Sequence, residues 1–311
     1  MKHKIKNTGA ELTVFNAFQD FIQEKEANNL SEATIRNYQK SFGLFCEYAK
    51  IDLDTPFEEI AQDLIFQWIG HMRKEEISVA SINHYLRDVR AFFNWCKKRD
   101  YNNIDIKELK QQEEQPKFFK DDDIEKLLEK PRPKDSFVEW RTWAMVNTVL
   151  ATGARAATLC NMKVTDIDFI RKEIALAHTK NKKAQIIPLS ATLEGVLKEY
   201  TKKFGLTNYL FPNIGDEQLT SNAISHAFSK YCEDREVEQT NIHGLRHSFA
   251  RSWIKNGGSA FALQKILGHQ QMTMTQRYVK LYSDDLKEGY EDFSPLDNIK
   301  KKNSRTSKFK K

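Results

Sequence analysis

The chain has 311 residues, 40% of them hydrophobic and 11% aromatic, a length that buries real cores and suffices for two domains. Mean hydropathy is −0.64, no stretch approaches the ~20 apolar residues that cross a bilayer, and the basic N-terminus has no apolar run behind it, so neither membrane nor secretory leader is expected. A net charge of +6 and pI near 8.9 leave room for a polyanionic partner, while four scattered cysteines (Cys46, Cys96, Cys160, Cys232) with no CxxC pair argue against a disulfide framework or zinc site and fit a reducing, cytoplasmic setting.

Residues 11–103 read as all-helical. Leu12, Phe15, Phe18 and Ile22 recur at helical spacing; behind a capping Ser31, Ile35, Tyr38, Phe42 and Phe45 form a second stripe. Pro56 is expected to open a third helix carrying Ile60, Leu64 and Trp68. Ser78 caps a fourth, with Ile82, Leu86, Val89 and Phe93 inward. Basic residues gather on the polar faces of the second and fourth helices, and Arg36, Lys40, Arg87 and Arg90 are the candidates there for contact with an anionic partner. A solvated face explains the same pattern.

Residues 104–117 hold few apolar anchors, a QQEEQ run and Pro116, and read as a linker between a helical domain over 1–103 and a second domain over 118–292. In the second domain DDDIEKLLEK places acids in a first helical turn, and a helix over about 136–151 ends at Thr152-Gly153. Strands are expected at Asp168–Ile170, Glu173–Ala177 and Ala184–Pro188, alternating apolar and polar side chains around turns of RK and TKNKK. Helices follow at 190–203, 221–234, 243–255, 259–267 and 271–280, with Gly257 and Gly268 at expected C-terminal caps. Residues 293–311 read as an interaction segment followed, from Lys300, by a basic tail of seven Lys or Arg and no acid.

Four segments of the second domain carry basic and nucleophilic side chains in an informative order: Ala151-Thr-Gly-Ala-Arg155 before a helix, Thr179-Lys180-Asn-Lys182-Lys183 in a turn between strands, His243-Gly-Leu-Arg246-His247, and Leu267-Gly-His269 with Tyr278 nine residues on. Each is weak alone. A lone arginine is usually a surface residue, turn lysines are usually solvated, and an HxxR pair shares a helix face for ordinary reasons.

In order and together, the segments resemble the tyrosine recombinase, or phage integrase, family. The arginine box is matched by TGARAATL, the hairpin lysine by Lys180, the HxLRHxFA box by residues 243–250, and the LGH motif with its downstream nucleophile by Leu267–His269 and Tyr278. The match spans about 120–290, and residues 11–103 resemble the family's core-binding domain. The resemblance implies a mainly α fold with a small antiparallel β-sheet, two domains clamping duplex DNA, and four protomers on two sites with inverted half-sites, exchanging strands through a Holliday junction. Lys182 and Lys183 join the candidate DNA contacts.

The chemistry accounts for the residue types. Cleaving a phosphodiester adds negative charge to an anionic centre, so positioned cations and donors must meet it. Arg155 and Arg246 suit the two non-bridging oxygens; His243 and His269 add donors, and His243 is a candidate shuttle for the nucleophile's proton. Tyr278 attacks in line once a cationic site favours its phenolate. By resemblance Lys180 is the general acid for the 5′-oxygen, with Lys182 or Lys183 as substitutes, and the 3′-phosphotyrosine link conserves bond energy, so neither ATP, cofactor nor metal is implied. The family's acidic residue three positions after the arginine is Thr158 here, His247 is read as structural, and Tyr282 and Tyr290 compete with Tyr278. A type IB topoisomerase-like relaxing enzyme and an inert DNA-binding module are the rival readings. The few residues before the first helix leave no expected room for an arm-binding domain.

Overall fold

The computed structural model describes residues 12–52, 54–111, 116–176 and 185–280, which fall into two compact units divided between residues 114 and 115. Outside the described residues lie Lys180, Lys182 and Lys183, the TKNKK turn, Tyr282, Tyr290 and everything from 281 on, including the interaction segment and tail.

The first unit is built on α1 (Val14–Ala27), α2 (Glu32–Ala49), α3 (Gln62–Lys74) and α4 (Val79–Lys97). Thr13, Ser31 and Ser78 cap α1, α2 and α4, each hydroxyl accepting a backbone N–H of the first turn. Apolar faces meet in an aromatic core: Phe18 stacks on Phe42 at 3.7 Å between centroids, and Phe92 stands edge-on to Phe18, Phe21 and Phe42. Ser41 donates to Asp88 at 2.7 Å, fastening α2 to α4.

Three expectations are corrected. Pro56 opens only a 3₁₀ turn, Phe57–Glu59, and α3 starts afresh at Gln62 after an extended Ile60 and Ala61; the break lets both Phe57 and Ile60 enter the core. Phe15 lies on the outer side of α1, 37% exposed. The segment read as linker from 104 begins as part of the first unit. Ile104 and Ile106 are buried in its core, and the Asn83 side chain both accepts from the Leu109 N–H and donates to its carbonyl. Two isoleucines two apart on an extended strap bury one face without any helical period, so periodicity does not reveal them.

In the second unit α5 (Asp121–Leu128) and α6 (Phe137–Thr152) precede a short α7 (Ala156–Asn161). A three-stranded antiparallel sheet follows in the order β1 (Ile167–Asp168), β2 (Glu173–Leu176), β3 (Gln185–Pro188), pairing Ile167 with Ile174 and Ile174 with Ile187. The first strand is shorter than expected: Asp168 Oδ1 accepts the N–H groups of Ile170 and Arg171 at 2.9 and 2.8 Å, turning the chain before Phe169 and Ile170 can pair. Then come α8 (Ala191–Phe204), α9 (Ser221–Glu233), α10 (Ile242–Lys255), α11 (Ala260–Leu267) and α12 (Met272–Lys280). Helix α6 is buried nearly all round, with Trp140, Trp143, Met145, Val146 and Val149 in the core, and it packs against α8 and α10. Its C-terminus thereby arrives beside α10, α11 and α12, which share a smaller apolar cluster of Phe249, Ala250, Leu263, Leu267 and Tyr278.

Candidate active site

Helix α6 ends on Gly153, whose φ of +64° suits a left-handed cap. A Cβ there would stand 2.6 Å from Leu267 Cδ2 and 2.7 Å from Phe249 Cδ1, so glycine also permits the close approach of α10 and α11. Arg155 follows at the N-cap position of α7. It is half-buried, and its guanidinium makes no hydrogen bond or ion pair with the described residues. Thr158, in the place of the expected acid, is buried and gives its backbone N–H to the Arg155 carbonyl at 2.9 Å. Arg155 is thus a cation held in place by backbone and burial, with its donors unspent.

Arg246, one turn into α10 and only 4% exposed, is the hub of the site. Its guanidinium donates to the Gly153 carbonyl at 2.5 Å and the Leu267 carbonyl at 2.8 Å, and lies 3.2 Å from His269 Nε2. One side chain therefore ties together the TGAR turn, the LGH turn and α10. These are three of a guanidinium's five donors. Burial first, and then neighbouring Arg155, push its pKa down to about 9, so it keeps its charge at neutral pH.

Because a guanidinium only donates, His269 Nε2 must accept, and Nδ1–H is left to donate to Thr275 Oγ1 at 2.8 Å. Burial, then Arg246 and Arg155, push His269 down to about 4, which keeps this ring neutral at pH 7. His243 retains a solvent-facing edge, yet the protein packed round its ring, followed by Arg246 and Arg155, lowers its proton affinity too. Tyr278 on α12 is 4% exposed. Its hydroxyl lies 2.7 Å from Nδ1 of His247, and His247 in turn stands perpendicular to His243 with ring centroids 4.7 Å apart. Burial pushes the phenol up, and Arg246, Arg277 and Arg155 pull it the other way.

Arg155, His243, Arg246, His269 and Tyr278 are thus brought together from four elements; Lys180 lies outside the described residues. Gln185, at the start of β3, donates to the Lys265 carbonyl at the end of α11 and packs against Gly268. The start of β3 is therefore fastened to the turn that holds His269. Sequence reasoning read His247 as structural and passed over Thr275 and Gln185. His247 and Tyr278 are hydrogen-bonded, a pairing whose only sequence sign is that His247 stands four residues after His243 on one helix face. Thr275 is fully buried and fixes His269, and Gln185 leaves no sign in the sequence at all. In the first unit, Lys40 is exposed, while Arg36 is paired with Glu32 at 3.3 Å, and Arg87 and Arg90 both reach Glu108, at 3.1 and 2.7 Å. These pairs are exposed enough to exchange for other anions at little cost.

Residues 117–284 match the family model described as the phage integrase family, and residues 15–109 match that of the phage integrase N-terminal SAM-like domain. Among relatives, a tyrosine recombinase XerD of Listeria innocua is 28% identical over 282 residues, covering 86% of this chain and 94% of that protein. A XerD of Staphylococcus haemolyticus is 26% identical over 296 residues, with 91% and 99% covered. A solved lambda integrase tetramer bound to a Holliday junction superposes with TM-score 0.70 at 17% identity, over 88% of this chain and 78% of that one. XerH bound to palindromic difH gives 0.69 at 21%, over 88% and 84%. Likenesses at such identity speak to the fold.

Proposed function

We propose, because this chain belongs to the phage integrase family, that it is a site-specific tyrosine recombinase that cuts and rejoins duplex DNA with Tyr278 as nucleophile. The observation that carries the reading is the convergence of Arg155, Arg246, His243 and His269 on a buried tyrosine, with Arg246 bonded to both turns that present the others. Arg155 and Arg246 receive the non-bridging oxygens of the scissile phosphate, where donors that are already positioned stabilise charge without reorganising. His243 and His269 complete the cradle. Since His269 Nε2 accepts from Arg246 in the free protein, it must gain a hydrogen, by protonation or a change of tautomer, before it can donate to phosphate. Lys180 acts as general acid for the departing 5′-oxygen. The partner is a duplex site with inverted half-sites, two sites being held by a homotetramer. The XerC and XerD relatives, tyrosine recombinases by name, support recombination over relaxation by a single subunit. Phosphate contacts by Arg36, Lys40, Arg87, Arg90, Lys182 and Lys183 supply most of the affinity.

A library of nicked duplexes of randomised sequence, incubated with the purified chain and denatured, tests the reading and also identifies the preferred DNA. Covalent 3′-linked complexes are expected from the unaltered chain. Tyr278→Phe, which removes one oxygen, is expected to bind DNA normally and yield none. Protein-linked DNA from that variant, or none from the unaltered chain, overturns the assignment.

A further inference from the structure

We propose that His247 is a catalytic residue of the recombination site, the acceptor of the Tyr278 proton as the phenol attacks phosphorus. The inference rests on the reading of Tyr278 as nucleophile and goes beyond it. The geometry points to His247 rather than His243: among the described residues it is His247 Nδ1 that meets the phenol oxygen, at 2.7 Å. His243 stacks edge-on behind it at 4.7 Å.

In the proposed tautomer the ring hydrogen sits on Nε2 and the hydrogen bond runs from the phenol to His247 Nδ1. Facing the ring are His243 and Arg246 on α10, Arg277 and Tyr278 on α12, and the edge of Phe118. Burial, then His243, Arg246 and Arg277, push its pKa down to about 4, so the imidazole is neutral at pH 7. A neutral ring with Nε2–H presents a lone pair at Nδ1 and accepts from the hydroxyl. With its hydrogen so directed, the phenol keeps a lone pair for another centre.

In the step itself the Tyr278 O–H bond breaks and its proton passes to His247 Nδ1. The phenol oxygen forms a bond to phosphorus, the bond from phosphorus to the 5′-oxygen breaks, and that oxygen takes a proton from Lys180. Proton transfer must accompany attack, because a separate phenolate and imidazolium pair is uphill between a phenol raised by burial and an imidazole lowered by it. Concerted transfer avoids the pair: charge leaves the phenol oxygen for the phosphorane oxygens, which face Arg155 and Arg246. The bound phosphate also offsets the cations that depress His247. Rejoining runs in reverse, with the imidazolium returning the proton to the leaving phenol.

Two measurements on the full chain test this. Nitrogen NMR of ¹⁵N-histidine-labelled protein should show His247 at pH 7 with Nδ1 bare and Nε2 protonated, and Tyr278→Phe should shift that Nδ1 alone among the histidine nitrogens. A hydrogen resident on Nδ1 would make the phenol the acceptor and overturn the proposal without any DNA. Single-turnover cleavage of the nicked duplexes recovered above, across pH, is the second measurement, with His247→Phe and His247→Asn. Phenylalanine keeps a ring against Phe118; asparagine keeps an oxygen that can accept from the phenol but cannot take its proton. Both are expected to bind DNA as the unaltered chain does, to cleave roughly 10²-fold more slowly or worse, and to lose the acidic limb of the pH–rate profile. Asparagine supporting the normal rate, or a slow variant that retains the acidic limb, overturns the role of His247 while Tyr278 stands. Absence of covalent complexes from the unaltered chain instead overturns the reading beneath it.

Discussion

Arg246 does two jobs that ordinarily conflict. It braces the site through two backbone carbonyls and is still expected to meet the phosphate, which the five donors of a guanidinium allow and the three of an ammonium on a flexible stem do not. His243 and His269 are neutral imidazoles in the free protein, because burial and the arginines hold His269 at about 4 and lower His243. A bound phosphate offsets those arginines and restores proton affinity, so the complex carries more protons than its free parts. DNA binding is therefore expected to take up protons, increasingly as pH falls from 8 towards 6, and to tighten over that window. Calorimetry in two buffers of different ionisation enthalpy measures the uptake directly; proton release over this range would contradict the scheme. Lys180→Ala is expected to slow cleavage by roughly 10²–10⁴, and sulfur at the 5′-bridging position, which departs without a proton, should restore most of the rate; rescue of Lys183→Ala instead would move the role there. At this scale the sequence was informative about residue types and uninformative about their partners. Arg155, His243, Arg246, His269 and Tyr278 stand out through order and spacing. The bonds from His247 to Tyr278 and from Gln185 to Lys265 join residues 31 and 80 positions apart, and only the packing of α10 on α12 and of β3 on α11 creates them.

Element ends, more than element middles, build the site. Gly153, Gly268 and the N-cap position of α7 all lie where a helix stops or starts, and backbone groups freed there are what Arg246 gathers. Gly153→Ala should test this sharply. Alanine in the left-handed region costs about 1–2 kcal/mol, and crowding Leu267 and Phe249 adds about 1–3 kcal/mol. Gly205 is the matched control: it caps α8 with φ +60° and has open space where a Cβ would go. Thermal unfolding should show Gly153→Ala losing clearly more stability than Gly205→Ala, with cleavage impaired in the first alone; equal losses would mean that the close approach is unimportant. Serine caps at Ser31 and Ser78 and glycine ends at Gly153, Gly257 and Gly268 made several helices legible in advance, since capping chemistry is local, whereas the threonine caps of α1 and α9 were not anticipated. Pro56 and the first strand were misjudged for a related reason. A proline reports a permitted start without the length that follows, and an Asp168 side chain turning back on its own backbone competes with pairing where alternation alone predicts a strand.

At the scale of the whole molecule the two units hold separate cores, aromatic in the first and built round α6 in the second, and the proposed synapsis of two DNA sites would need more than one chain. Residues 290–311 divide by chemistry into two parts. From Tyr290, Phe293, Leu296 and Ile299 are apolar with acids between them; from Lys300 there are seven Lys or Arg and no acid. Apolar side chains gain by burial, whereas a tail of like charges gains by releasing counterions from DNA. Separate consequences follow for two truncations. Deleting Lys300–Lys311 is expected to weaken binding to non-specific duplex and to flatten the slope of log affinity against log salt, by about 0.9 for every phosphate that the tail would have neutralised, while assembly on paired sites persists. Deleting from Tyr290 onward is expected to leave a single protomer on its half-site and to abolish the four-protomer complex, the apolar stretch being proposed to dock on a neighbouring protomer. Light scattering of complexes formed on one-site and paired-site duplexes measures both mass and stoichiometry. Four protomers assembled by the longer truncation would place the apolar stretch on its own domain, and an unchanged salt slope in the shorter one would remove the tail from the DNA. The two outcomes are independent, because burial and counterion release respond to salt in different ways: burial is insensitive over the range from 50 to 200 mM, in order-of-magnitude terms, where binding through several phosphates falls by orders of magnitude.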